Sequence, residues 1–143
     1  MSAGRFFLDT NVFVYSFDFS APRKVHIADK LIDEAVRSGR GAVSYQVIQE
    51  FFNVAFRKFP EHMTEGDAQT YFSNVFRPLY AVSFSPGLLF RAIRISGDYQ
   101  IAWYDSIIFA AAAETNCEIL YSEDFQHGFT VEGVRVQNPF LSN

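Results

Sequence analysis

A chain of 143 residues is long enough for one domain that buries a substantial core without disulfide or metal staples. With 49% hydrophobic and only 20% charged residues, and a formal charge of −4, it is no broadly basic, histone-like binder, although local basic patches are compatible with that balance. The single Cys117 excludes an intrachain disulfide and a cysteine zinc cluster, and His26, His62 and His127 show no ligand spacing such as H-E-x-x-H.

The longest run without a polar residue, Ile107 to Ala113, has seven residues, against the roughly 20 that a membrane span needs. No apolar stretch of signal-peptide length precedes Asp9, so the expectation is a protein of the cytoplasm without a membrane association. No repeat, low-complexity tract or linker divides the chain, and residues 1–143 read as one domain.

In chain order, Arg5–Leu8 is the first strand candidate, followed by Asp9 and the apolar segment Val12–Phe17. Ser20-Ala21-Pro22 opens a helix that runs to Ser38-Gly39, and Gly41–Val43 is a second strand. Ser44 caps a helix over Tyr45–Lys58, and Thr64 with Asp67 resembles a capping box for Glu65–Phe76. A third strand is expected at Tyr80–Phe84, then a helix from Ser85-Pro86 to about Ser96-Gly97 and another from Tyr104 to Glu114. Glu118–Tyr121 is a further strand, with a weaker one at Val134–Gln137. This alternation predicts an α/β fold with a mainly parallel sheet of four to five strands flanked by helices.

Four carboxylates interrupt stretches that are otherwise too apolar for a charge. Asp9 ends Arg5-Phe6-Phe7-Leu8; Asp124 follows Glu118-Ile119-Leu120-Tyr121; Asp105 stands in Ile101-Ala102-Trp103-Tyr104-Asp105-Ser106-Ile107-Ile108-Phe109. At ~100° per residue, Gln46, Glu50, Asn53 and Arg57 form one narrow polar stripe on a helix apolar nearly everywhere else, so Glu50 faces a cleft or a thin solvated edge. Each acid also has a plain alternative. Asp9 suits a helix N-cap, Asp105 the first turn of a helix dipole, Asp124 a turn or cap, and Glu50 a surface salt bridge. Glu123, beside Asp124, competes with it for any functional role. Asp9 and Asp124 share a placement just past the C-terminal end of a parallel strand, where open α/β sheets bind ligands.

Grouped together, such acids repel one another until a cation offsets their charge. An all-oxygen set favours Mg²⁺ or Mn²⁺ over zinc. An ion of that kind supplies a more acidic water and stabilises charge on a phosphoryl oxygen, which is the chemistry of a metal-dependent phosphodiesterase.

The motifs Leu8-Asp9-Thr10-Asn11, Glu50 on the helix after the second strand, Tyr104-Asp105-Ser106-Ile107-Ile108, and Ser122-Glu123-Asp124-Phe125 resemble the acidic tetrad of the PIN-domain family. Order, spacing and length are most similar to VapC-like toxin ribonucleases, over nearly the whole chain. The resemblance implies a PIN-like three-layer sandwich and an Mg²⁺- or Mn²⁺-dependent endoribonuclease acting on RNA, often a homodimer and held inactive by a cognate antitoxin. It makes Asp9, Glu50, Asp105 and Asp124 the catalytic and metal-site residues, with Thr10, Asn11 and Ser122 as polar supports. It also suggests that helix Glu65–Phe76 and its neighbour form a dimerisation clip.

Arg57-Lys58 and Arg91 with Arg94 are candidate contacts to substrate phosphates, set against ordinary solvated charge. The 17 phenylalanines are expected mainly in the core, with a surplus for a groove that takes an antitoxin helix or a second copy. A haloacid-dehalogenase-like phosphatase would need a second Asp where Asn11 stands and a later lysine, yet no Lys follows Lys58; a response regulator wants that lysine too. The remaining rival is a PIN-like module that binds RNA or protein without catalysis.

Overall fold

The computed structural model describes residues 4–141. Strand β1 (Arg5–Leu8) leads into a short helix α1 (Thr10–Tyr15), and α2 (Pro22–Ser38) returns the chain to β2 (Gly41–Ser44). Helix α3 (Tyr45–Arg57), helix α4 (Glu65–Tyr71), a π-helical turn at Phe72–Phe76 and the single turn α5 (Arg77–Leu79) connect to β3 (Tyr80–Val82). Then α6 (Pro86–Tyr99) and α7 (Trp103–Glu114) form a helical hairpin before β4 (Cys117–Tyr121), β5 (Thr130–Val131) and β6 (Val134–Gln137).

The sheet order is β3-β2-β1-β4-β6-β5, with every pairing parallel except β5 to β6. Phe6, Phe7 and Leu8 of β1 are all buried, as expected for a central parallel strand covered on both faces. The chain first builds outward from β1 through β2 to β3, then crosses back to place β4 on the other side of β1. Right-handed crossovers therefore put the helices of the two halves on opposite faces. The order reverses at β1/β4, so the crevice beyond the ends of these strands is the switch point.

The expectation of four to five strands falls short by β5, a two-residue strand that turns back on β6 through Glu132 and Gly133 at positive φ. The helix expected over Glu65–Phe76 changes to π geometry at Phe72 and carries on to Leu79. Pro78 lacks the N–H that an α-helix would aim at the carbonyl of Asn74, which removes one reason to keep α geometry there. Helix α6 passes through Gly97 to Tyr99 and ends on Gln100 in the left-handed region at φ 55°.

The apolar side chains of both helical layers and the sheet form one continuous buried cluster. Gly41 belongs to it because α2 passes close by: a Cβ there would lie 2.4 Å from Ala35 Cβ and 2.9 Å from its Cα. Gly41→Ala must push α2 off β2, so a loss of about 1–3 kcal/mol is expected in chemical denaturation. Wild-type stability in this variant would mean that the α2–β2 contact is loose.

Candidate active site

Asp9 follows β1 directly and caps α1. Its Oδ1 accepts a hydrogen bond from the Thr10 backbone N–H at 2.7 Å, and its Oδ2 accepts one from the Ser122 hydroxyl at 2.7 Å. The plain N-cap reading and the site reading therefore both hold for one residue. Leu8 pairs with Tyr121, so the ends of β1 and β4 stand side by side and bring Asp9 and Ser122 together across 113 residues of sequence. The Ser122 hydroxyl also accepts from the Asp124 N–H at 3.1 Å, which makes it the hinge between the two strand ends.

Glu50 reaches the same crevice from α3. One carboxylate oxygen accepts from the Thr10 hydroxyl at 2.7 Å and the other from the Gln46 side-chain amide at 3.2 Å. Gln46 in turn reaches the carbonyl of Tyr104 at 3.3 Å, linking α3 to the first turn of α7 where Asp105 sits. The polar stripe on α3 thus splits. Gln46 and Glu50 face the crevice, whereas Asn53 and Arg57 are exposed.

The electrostatics record the convergence. Burial pushes the Asp9 carboxyl up to about 6, against the pull of its bonds from Ser122 and Thr10, and the charges of Asp124 and Glu50 add to the rise. Asp105 is raised by burial and then by Asp124 and Glu50; Asp124 is raised by burial, with Glu123 and Glu50 contributing. Burial is the larger cause in each case, and the charges of neighbouring acids add to it.

Asn11 lies close enough to Asp124 to hold that carboxyl down somewhat. No contact of its amide has full hydrogen-bond geometry, however, and its Nδ2 and Oδ1 are buried without a partner. A buried amide without a full-geometry partner beside a carboxylate is compatible with a ligand held between them. Among the described residues, no three His, Cys, Asp or Glu side chains close into a ready-made metal cage. The oxygen-only donor set, the repulsion among its members and the orphaned Asn11 amide fit an open site for a hard divalent cation that keeps several waters.

The remaining candidates lie outside the crevice. Arg91 pairs with Glu114 at 3.3 Å, and Glu114 closes α7 nine residues after Asp105, about 13 Å along the helix. Arg94 pairs with Glu132 at 2.9 Å in the β5–β6 turn. Both guanidinium groups are engaged in structural ion pairs. Arg57 and Lys58 are exposed at the end of α3. Glu123 turns away from the acids to meet Tyr15 and Lys24 at 2.6 Å each; although burial works against it, these bonds hold its carboxyl below the usual range. Tyr15 did not stand out in the sequence, and Lys24 is visible there only as half of the basic pair Arg23-Lys24.

Six strands with a parallel core, and acidic side chains gathered beyond the carboxyl ends of its central strands, define an α/β protein of the open, doubly flanked kind. The PIN domain model matches residues 6–128, and the chain belongs to that family. This membership removes the phosphatase and response-regulator readings. Similar solved structures include a toxin–antitoxin complex from Klebsiella pneumoniae, whose matching chain is 18% identical with a TM-score of 0.65, over 94% of this chain and 97% of that one. VapBC2 from Rickettsia felis, bound to a DNA fragment from its promoter, matches at 14% identity and TM-score 0.66 over 93% and 97%. FitAcB from Neisseria gonorrhoeae matches at 20% identity and TM-score 0.60 over 94% and 98%. At such identities the likeness establishes the fold. No curated protein sequence matches the chain.

Proposed function

We propose that this protein is a metal-dependent endoribonuclease, the toxin of a toxin–antitoxin pair, acting in the cytoplasm. What supports the reading is that Asp9, only 5% exposed at the switch point, is joined through Thr10 to Glu50 and feels the charges of Asp124 and Glu50, as does Asp105. Mg²⁺ or Mn²⁺ would be held by Asp9, Asp105, Asp124 and Glu50, and when bound would supply charge stabilisation at a phosphoryl oxygen and a more acidic water.

The chain's own part is orientation. Thr10 N–H and the Ser122 hydroxyl fix the plane of the Asp9 carboxylate, while Thr10 Oγ1 and Gln46 fix that of Glu50. Among the described residues no hydrogen bond of full geometry reaches the carboxylate oxygens of Asp105 or Asp124, which leaves both free to take a ligand. Arg57 and Lys58 are the cations we assign to the RNA backbone.

For protein partners, Phe52, Phe56, Ala68, Phe72 and Arg77 line an open groove of about 370 Å³ between α3 and the α4 segment. We assign this face to the dimerisation clip. The K. pneumoniae toxin–antitoxin complex with the same fold supports an antitoxin partner.

The test compares wild type with Asp105→Asn on single-stranded and structured RNA, with Mg²⁺ or Mn²⁺ and then with EDTA. Wild type should cleave only with metal. The variant should lose roughly three orders of magnitude, equivalent to about 4 kcal/mol of transition-state stabilisation. Undiminished cleavage by the variant, or cleavage that survives EDTA, would overturn the assignment. Metal binding without any cleavage would instead favour the non-catalytic module.

A further inference from the structure

Glu123 stands between Ser122, which is tied to Asp9, and Asp124. Its Oε1 accepts a hydrogen bond from the Tyr15 hydroxyl at 2.6 Å, and its Oε2 pairs with Lys24 Nζ at 2.6 Å. Tyr15 ends the helix that Asp9 opens, and Lys24 sits in the first turn of α2. The Lys24 ammonium lies 4.1 Å from the Tyr15 ring centroid and 5.4 Å from that of Phe140, and these two rings meet edge-on at 5.0 Å. Arg23 then donates to the carbonyls of Phe140 and Leu141 at 2.9 and 3.2 Å. Segments separated by about a hundred residues therefore enclose one carboxylate.

Overall stability is a weak account of this arrangement. Both charged partners are 29% exposed, and a half-solvated pair contributes little once the ordering of a lysine is counted. Its geometric effect is larger. Two consecutive residues after β4 are pinned, Ser122 to the end of β1 and Glu123 to α1 and α2, so Asp124 leaves a turn with little freedom to swing.

We propose that Tyr15, Glu123 and Lys24 form a positioning clamp that holds the Asp124 turn against Asp9 and Asp105, preorganising the acidic site for its cation. The proposal rests on the reading of that site given above. Positioning partners of metal ligands commonly contribute 10–100-fold in metal affinity.

The sign of one substitution separates positioning from simple charge. Removing a cation near an acidic site should tighten binding of another cation by electrostatics alone, whereas loss of the clamp should weaken it. Mn²⁺ titrated calorimetrically into the metal-free protein should bind about 10–100-fold more weakly to Lys24→Met and to the neutral Tyr15→Phe. Lys24→Arg should recover most of the affinity, and Arg23→Met, which releases only the Phe140 and Leu141 carbonyls, should bind as wild type does. Amide exchange at Asp124 and Phe125 in the metal-free state should speed up in the first two variants alone. Unchanged or tighter Mn²⁺ binding by Lys24→Met, or an equal loss in Arg23→Met, would overturn the clamp. If wild type binds no Mn²⁺, the functional reading fails on its own; exchange then decides the clamp, and unaltered protection of Asp124 in Lys24→Met refutes it.

Discussion

Asp9→Asn is expected to abolish RNA cleavage and, at neutral pH without metal, to make the protein more stable than wild type. The folded state raises the Asp9 carboxyl from 3.8 to about 6, chiefly by burial. Folded protein thus holds this proton more tightly than the unfolded chain does. Its contribution favours folding fully below about pH 4 and is lost as pH rises through 6. Above that, the ionised carboxylate costs about 3 kcal/mol relative to a neutral group in the same place. An asparagine can still take the Thr10 N–H on its oxygen and offer its amide to the Ser122 oxygen. In EDTA, the variant should match wild type near pH 4 and exceed its Tm by roughly 10 °C at pH 7.5. Adding Mg²⁺ or Mn²⁺ should narrow or reverse that gap, because only wild type gains by binding. A variant that is less stable at pH 7.5 than wild type would show that the Asp9 charge is well accommodated without a cation.

The second large effect lies in the core that carries Glu50. Phe51 is fully buried and stacks on Tyr71 at 5.1 Å between centroids, with Phe52 and Phe76 both at 5.3 Å and Phe17 at 5.8 Å. Phe51→Ala should cost about 3–5 kcal/mol, a fifth or more of the roughly 5–15 kcal/mol that holds a domain of this kind together. The urea midpoint should fall with little change in slope. Because Phe51 adjoins Glu50, the variant should also loosen the Thr10–Glu50 bond and lower activity beyond the loss of folded protein. A cost under about 1 kcal/mol would mean that α3 is held chiefly by contacts other than this ring.

The four acids stood out because each interrupts a run or face that is otherwise apolar, and a buried charge is costly enough to be a signal; in the fold that cost applies to Asp9, whereas Glu50 and Asp105 are partly exposed and Asp124 is exposed. The central strands were legible for the related reason that a strand covered on both faces reads as an unbroken apolar segment. What stayed hidden depends on partners far along the chain. Arg91 and Arg94 look like free rim charges until Glu114 and Glu132 are placed beside them. Glu123 and Asp124 are interchangeable in one dimension, and only the arrival of Tyr15 and Lys24 separates them. Two residues of β5 are too few for any periodicity. Gly97 looked like a helix stop, but a glycine costs a helix only about 1 kcal/mol, and packing of α6 against α7 carries the helix past it.

The placement of β1 between β2 and β4 also sets when the acidic crevice comes into existence during synthesis. Chain emerging first can pair β1 with β2, and Thr10 can reach Glu50, but Asp9 has no Ser122 and no Asp124 until β4 has been made. Non-local pairing of this kind is closed late, after the intervening helices have formed. A nascent chain translated only as far as α7 therefore carries Asp9, Glu50 and Asp105 without the strand that completes their site. For the ribonuclease proposed here, the message being read would be spared by the protein growing from it, with strand order acting as a timer.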